Sequence, residues 1–88
     1  MDAPQAMRER LAALQPLLVE IIDDSAKHAG HEGARGGGGH YRLKIVSPQF
    51  GGKRTLERHR LIYETLGDLM RREVHALSII ALTPDENR

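Results

Sequence analysis

The fold of this chain can be worked out from the segment HYRLKIVSPQFGGKRTLERHRLIYETL, which spans His40 to Leu66. Its first part alternates apolar and polar side chains, as a strand does when one face is buried and the other is solvated. A turn rich in proline and glycine follows. Apolar residues then recur at spacings of three and four, which is typical of an amphipathic helix. The stretch therefore predicts a strand over His40–Ser47, a turn over Pro48–Arg54 and a helix capped by Thr55.

The helix is predicted to continue to about Arg72, because its apolar stripe does not stop at Leu66. The residues of this stripe are Leu56, His59, Ile62, Tyr63, Leu66, Leu69 and Met70. The next segment, VHALSIIAL, is apolar throughout and predicts a strand over Val74–Leu82. The remaining TPDENR is predicted to be a polar tail.

A helix and a strand are also predicted before this stretch. Asp2, with a proline two residues later, is a typical helix start. Pro16 cannot continue a helix, so the first helix should end near Gln15. LLVEII, Leu17–Ile22, is short and rich in branched residues, which favours a strand. A flexible glycine-rich loop is predicted over 26–39, where no apolar periodicity exists.

The predicted order is helix, strand, strand, helix, strand, in one domain over 1–88. Such an order indicates an α+β two-layer sandwich with two helices on one face of a three-stranded mixed sheet. Strands 1 and 2 should be antiparallel. Strands 2 and 3 are joined by a crossover through the second helix and should therefore be parallel.

This topology places four of the five histidines at one edge of the sheet. Strand 2 begins at His40 and strand 3 begins beside His75, and parallel strands begin at the same edge. The loop carrying His28 and His31 ends at that edge too, whereas His59 lies near the opposite one. Imidazole is a common ligand of zinc, copper and iron. Solvated loop histidines and a half-buried strand histidine are the alternative interpretation, and convergence alone identifies no metal.

Composition excludes several classes of function. The chain has no cysteine, so it provides no thiolate ligand or thiol chemistry of its own, and a cytoplasmic location is compatible with that absence. No apolar run approaches the ~20 residues of a membrane span. The glycine run has no following Lys-Ser/Thr and leads into a strand, so it is not a phosphate loop. No nucleophile–histidine–acid arrangement is visible, and we expect no enzyme.

A basic cluster at the start of the second helix leaves one further class open. Lys53, Arg54, Arg58 and Arg60 are offset only by Glu57. A solvated helix start is one interpretation, and phosphate contacts to a nucleic acid are the other. A net charge of +1 and three aromatic residues do not favour strong nucleic-acid binding.

Taken together, several motifs resemble the BolA family along nearly the whole chain. These motifs are DDSAKH, the His40–Leu66 segment, VHALSI and LTP. The His40–Leu66 segment contains the patterns S-x-x-F-x-G and R-H-R, and VHALSI contains H-A-L. The resemblance implies the BolA variant of the class II KH-like fold, which agrees with the order derived above.

The resemblance also implies a function. BolA proteins partner monothiol glutaredoxins of the CGFS type and share a bridging 2Fe-2S cluster with the glutaredoxin cysteine and glutathione. The H-A-L histidine matches His75, and a second ligand from the strand 1–2 loop matches His28, with His31 as a substitute. The chain is then an iron–sulfur assembly or trafficking adaptor, a monomer alone and a heterodimer with glutaredoxin. The alternative is a DNA-binding transcriptional regulator of stress and morphology genes, as some family members are described.

Overall fold

The computed structural model describes residues 2–25 and 39–87. The predicted order of elements is confirmed, with the second helix divided in two. The helices and strands are α1 (Ala3–Leu11), β1 (Leu18–Asp23), β2 (Gly39–Val46), α2 (Thr55–Leu66), α3 (Leu69–Arg72) and β3 (Val74–Leu82). Gly39, which the sequence assigned to the loop, is the first residue of β2. The rest of that loop, residues 26–38, lies outside the described residues.

The three strands form one sheet in the order β1-β2-β3. β1 runs antiparallel to β2, with Leu18 opposite Val46. β3 runs parallel to β2, with Leu82 opposite Val46 as well. The α+β architecture with a three-stranded mixed sheet is therefore confirmed, and β2 is its central strand.

The core lies between one face of the sheet and the helices. Tyr41, Leu43 and Ile45 of β2 point to this face, while Arg42 between them is exposed, as the alternating pattern predicted. The side chains that bury this face come from every helix and from the turn after β2. The buried members of the core are Met7, Leu11, Leu14, Tyr41, Leu43, Ile45, Phe50, Ile62, Leu66, Leu69 and Val74.

The S-x-x-F-x-G motif is a structural device at the end of β2. The buried Ser47 hydroxyl donates a hydrogen bond to the Leu14 carbonyl at 2.6 Å and accepts one from the Gln49 N–H at 3.1 Å. Phe50 is fully buried, and Gly52 adopts a positive φ of 76° that disfavours other residues. The motif therefore fixes the exit of β2 and joins it to the end of the first helical segment.

The single long helix predicted up to Arg72 is wrong, because the chain breaks at Gly67. This glycine has a φ of 58°, which is outside the helical region. Arg10 of α1 supports the break: its guanidinium donates to the Leu66 carbonyl at 2.9 Å and pairs with Asp68 at 2.8 Å. These contacts with Arg10 lower the pKa of the Asp68 carboxyl. A tertiary contact thus satisfies the Leu66 carbonyl, which would accept a hydrogen bond from the Met70 N–H in a continuous helix.

The apolar stripe predicted for the second helix is narrower in the structure. Ile62 and Leu66 are fully buried. Leu56 and Tyr63, which share the predicted stripe, are 60% and 40% exposed, so their assignment to the core is wrong. Thr55 is the first helical residue rather than the cap. Arg54 precedes it, and the Arg54 backbone N–H donates to the Glu57 carboxylate at 2.8 Å.

The predicted polar tail is held against the domain by Arg58. Its guanidinium contacts the Glu86 carboxylate at 2.6 Å and donates to the Ala81 carbonyl at 3.0 Å. Glu86 also accepts a hydrogen bond from the Thr83 backbone N–H at 2.8 Å. Hydrogen bonds from Arg58 and Thr83 lower the pKa of Glu86 to about 2. The residues after β3 therefore form an anchored turn.

Among the described residues, no helix has the length and apolarity needed to cross a membrane.

Candidate functional site: a histidine pair at the sheet edge

Two histidines meet where β2 and β3 begin. The ring centroids of His40 and His75 are 5.1 Å apart and their planes are inclined by 45°. His75 is exposed and His40 is half-buried. The topological argument therefore placed this pair correctly. His28 and His31 lie outside the described residues, so their predicted roles stay predictions.

His59 does not join the pair. It lies in α2 and is half-buried, next to Arg58, which contacts the carbonyl of Ala81 near the end of β3. This is the opposite edge of the sheet from the start of β3, as the sequence predicted. His59 therefore serves as an internal comparison for the two histidines that do meet.

A bulge in the sheet sets the direction of His75. Gly39 pairs with Val74, but the next residue of β2, His40, pairs with Ala76. His75 is the extra residue of this irregularity and has no counterpart on β2. A bulge re-aims a side chain out of the regular alternation of a strand. His75 consequently lies at the edge, while Val74 before it is buried in the core.

The backbone of His40 is fixed by the end of β1. Its N–H donates to the Ser25 hydroxyl at 3.1 Å, and its carbonyl accepts from the Asp24 N–H at 2.7 Å. Asp23 in turn accepts a hydrogen bond from the Ser25 N–H at 2.8 Å, and contacts with Ser25 lower the pKa of the Asp23 carboxyl. His40 is therefore held on one side by this turn and on the other by β3.

Gly39 and Tyr41 flank His40 along β2, and both are buried. A Cβ added at Gly39 would overlap the ring of Tyr41, so only glycine lets this ring lie against the backbone. The Gly39 N–H donates to the Glu73 carbonyl at 2.8 Å, just before β3. Burial of the Tyr41 phenol, together with the negative charge of Asp23, raises its pKa. The Tyr41 phenol therefore remains neutral at physiological pH.

A pocket of about 170 Å³ opens beside His40 on the face of the sheet that carries no helix. Its lining includes Asp24, Arg42, Ala76 and Ser78. Arg42 and Asp24 form an ion pair at 2.7 Å across it. Because these charges are opposite and adjacent, they largely cancel near the imidazole pair.

The described residues provide an incomplete set of metal ligands. They contain no group of three or more His, Cys, Asp or Glu side chains that could hold a metal ion. The exposed imidazole of His75 is a suitable nitrogen donor for zinc, copper or iron. The donor chemistry therefore fits a site completed by ligands from elsewhere, either from another segment or from another molecule.

The basic cluster at the start of α2 is smaller than its sequence indicated. Arg58 is bound to Glu86 and to the carbonyls of Lys53 and Ala81, and only 12% of its side chain is exposed. The exposed cations that remain are Lys53, Arg54 and Arg60. Sequence alone gave no signal of this, because the partner Glu86 lies 28 positions away.

The chain belongs to the BolA family. The family described as BolA-like protein matches residues 11–86, which include every strand and all of the motifs. A three-stranded mixed sheet with helices on one face is also the architecture of solved BolA structures. BolA1 from Arabidopsis thaliana superposes with a TM-score of 0.84 at 37% identity, covering 100% of this chain and 99% of that one. The BolA domain of SufE1 from the same plant gives a TM-score of 0.80 at 45% identity, covering 93% and 92%.

Curated relatives agree with this assignment and differ in length. SufE-like protein 1 of Arabidopsis thaliana is 46% identical in an alignment of 86 positions that covers 91% of this chain and 23% of that protein. Protein BOLA1 of the same species is 42% identical, over 92% of this chain and 53% of that protein. The chain thus spans about half or less of these two relatives. The Escherichia coli protein named DNA-binding transcriptional regulator BolA is 38% identical, over 91% of this chain and 78% of its own length.

Proposed function

We propose that the protein is a non-enzymatic adaptor of iron–sulfur cluster assembly or trafficking that binds a monothiol glutaredoxin. In this proposal the two proteins share a bridging 2Fe-2S cluster, with the glutaredoxin cysteine and glutathione on one side and histidines of this chain on the other. The observation that carries the proposal is His75 of the H-A-L motif, exposed at the sheet edge and set against His40.

The chain's own contribution is to present nitrogen ligands from a fixed edge. His75 supplies one imidazole, and its bulge directs that ring away from the regular pleat. His28 is the predicted second ligand and His31 its substitute. Replacement of two thiolates by imidazoles raises the reduction potential of a 2Fe-2S centre, as in Rieske proteins.

The incomplete ligand set supports a shared site. Among the residues that the structure describes, no three potential ligands gather. With His28 as the second imidazole, this chain would supply two ligands of the cluster, and a partner would supply the others. The chain has no cysteine to offer. A partner that brings thiolates is therefore complementary to a chain that brings imidazoles.

The test is a titration of this chain into cluster-loaded monothiol glutaredoxin, followed by visible absorption and circular dichroism. We expect a new spectrum that saturates at one chain per glutaredoxin. His75→Ala should remove this change, and His59→Ala, a histidine at the opposite edge, should leave it intact. An unchanged spectrum with the wild-type chain, or a His75→Ala variant that behaves as the wild type does, would contradict the proposal.

A second candidate is DNA binding, as in a transcriptional regulator of the BolA type. Two observations favour it: three cations, Lys53, Arg54 and Arg60, are exposed around the start of α2, and the Escherichia coli relative is named as a DNA-binding regulator. The mechanism would be contact with phosphates, since the chain has few aromatic residues for base stacking.

Salt dependence tests this candidate. Binding through three cations should weaken steeply with salt, with a slope of roughly −3 in the logarithmic plot for duplex DNA. The Lys53→Ala/Arg54→Ala variant should lose most of the affinity. A variant without Lys44 and Arg71 removes the same charge elsewhere and should lose little. Equal losses in the two variants would indicate attraction by net charge alone and would contradict a site at α2.

A further inference from the structure

We infer that His40 is a positioning residue for His75: its ring forms a wall that restricts the orientations of the His75 imidazole. The sequence places His40 at this edge of the sheet, and the resemblance to the BolA family assigns it no ligand role. This inference rests on the proposed function for what His75 binds, but the order of the His75 ring can be measured in the free chain.

The first step is that His75 needs a restraint. It is exposed, it is the extra residue of the bulge, and it has no partner residue on β2. An exposed side chain on an edge strand samples several rotamers, and ordering it on binding has an entropic cost. A ligand for a shared metal site must present one ring nitrogen in one direction.

The second step is that His40 can supply the restraint, because it is itself held in place. Its N–H is bound by Ser25 and its carbonyl by the Asp24 N–H, and it pairs with Ala76 on the other side. It is half-buried among residues of the adjoining pocket, including Arg42. These contacts fix the backbone of His40, and the half-burial of its side chain limits the room in which the ring can turn.

The third step is the contact between the two rings. A centroid separation of 5.1 Å with a tilt of 45° lies within the range of packed aromatic pairs. Rotation of His75 toward β2 would bring its ring into that of His40. The remaining orientations of the His75 ring point away from His40.

The experiment compares two substitutions of His40 with different consequences. His40→Phe keeps a ring of similar width and removes both nitrogens, whereas His40→Ala removes the wall. The control is His59→Ala. Thermal unfolding of each variant verifies that it folds, and His40→Tyr replaces His40→Phe if the phenylalanine variant is unstable.

The first readout is the order of the His75 ring in the free chain, measured by side-chain NMR relaxation and χ1 couplings. We expect a rigid ring in the wild type, in His40→Phe and in His59→Ala, and averaged rotamers in His40→Ala alone. Unchanged order of the His75 ring in His40→Ala would overturn the inference, whatever the glutaredoxin experiment gives.

The second readout is affinity for cluster-loaded glutaredoxin. His40→Ala should weaken binding roughly two- to tenfold, the effect of ordering one side chain on association. His40→Phe should restore it. If His40→Phe is as weak as His40→Ala, a nitrogen of His40 is required and the wall is not its role. Failure of His75→Ala to change the complex would instead contradict the proposed function and leave the NMR result intact.

Discussion

The two edges of the sheet have opposite characters. At the carboxyl edge, where β2 and β3 end, Ser47, Phe50 and the Arg58–Glu86 pair fasten the turn after β2 and the last residues to the domain. At the amino edge, where they begin, an exposed His75 rests against a half-buried His40. The side chains named at the carboxyl edge are buried or paired, whereas His75 at the amino edge is exposed.

The comparison also separates the motifs of the family by role. S-x-x-F-x-G and the first arginine of R-H-R serve packing and hydrogen bonding at the carboxyl edge. H-A-L presents an imidazole at the amino edge. Substitutions at the carboxyl edge should therefore change stability most, and those at the amino edge should change binding.

The largest effect is expected for Phe50→Ala. Phe50 is fully buried, so its removal leaves a cavity beneath the turn, and we expect a loss of about 3–5 kcal/mol in the free energy of unfolding. Urea denaturation measures this loss. Leu56→Ala, at a side chain 60% exposed, should cost no more than about 0.5 kcal/mol. Similar losses for the two variants would contradict the assignment of the carboxyl edge as the packed one.

Ser47→Ala should come next. The substitution removes the donor to the Leu14 carbonyl and the acceptor for the Gln49 N–H in a buried place. A cost of about 1–3 kcal/mol is expected, because buried polar groups lose their partners. Ser78→Ala, at an exposed serine of β3, is the matched control for chemical denaturation. A Ser47→Ala variant as stable as this control would show that the hydroxyl does not fix the turn.

A smaller, pH-dependent effect is expected for the Arg58–Glu86 pair. The folded pKa of Glu86, about 2, is below its ordinary value of 4.5. A depressed carboxyl pKa adds stability above the unfolded pKa, and that stability is lost as the pH falls from 4.5 to 2. Glu86→Gln should therefore show a flatter fall of stability over this range, measured by thermal unfolding at several pH values. NMR titration of Glu86 with a midpoint near 4.5 would contradict the pairing.

The smallest effect on stability is expected for His75→Ala. The side chain is exposed and makes no core contact, so the free energy of unfolding should change by no more than about 0.5 kcal/mol. Thermal unfolding in parallel with the glutaredoxin titration separates the two properties. A His75→Ala variant that loses binding but keeps its stability would support different roles for the two edges. A large destabilisation of this variant would contradict them.

Much of this arrangement was predictable because it depends on local patterns and on topology. The alternation in β2, the proline and glycine turn and the crossover to β3 are local or follow from chain connectivity. They were enough to predict the mixed sheet and to bring His40 and His75 to one edge. The resemblance to the BolA family, now confirmed by the match over residues 11–86, came from motif order and spacing.

Tertiary structure decided the features that depend on partners distant in sequence. α2 ends at Gly67, and Arg10, far away in the chain, donates a hydrogen bond to the Leu66 carbonyl at this break. Arg58 forms an ion pair with Glu86 and is therefore not part of an exposed basic cluster. Periodicity alone could not show that Leu56 and Tyr63 are exposed while Ile62 and Leu66 are buried. It identifies the apolar stripe of a helix but not how much of that stripe the sheet and the other helices cover.

The order of elements, the mixed sheet and the edge at which two histidines meet follow from the sequence pattern and from chain connectivity. How the two histidines meet depends on tertiary packing: a register shift of one residue between β2 and β3 leaves His75 without a counterpart on β2 and places its ring beside that of His40. Alternation along a strand predicts which residues share a face, whereas a bulge depends on how two neighbouring strands pack against each other and against the core.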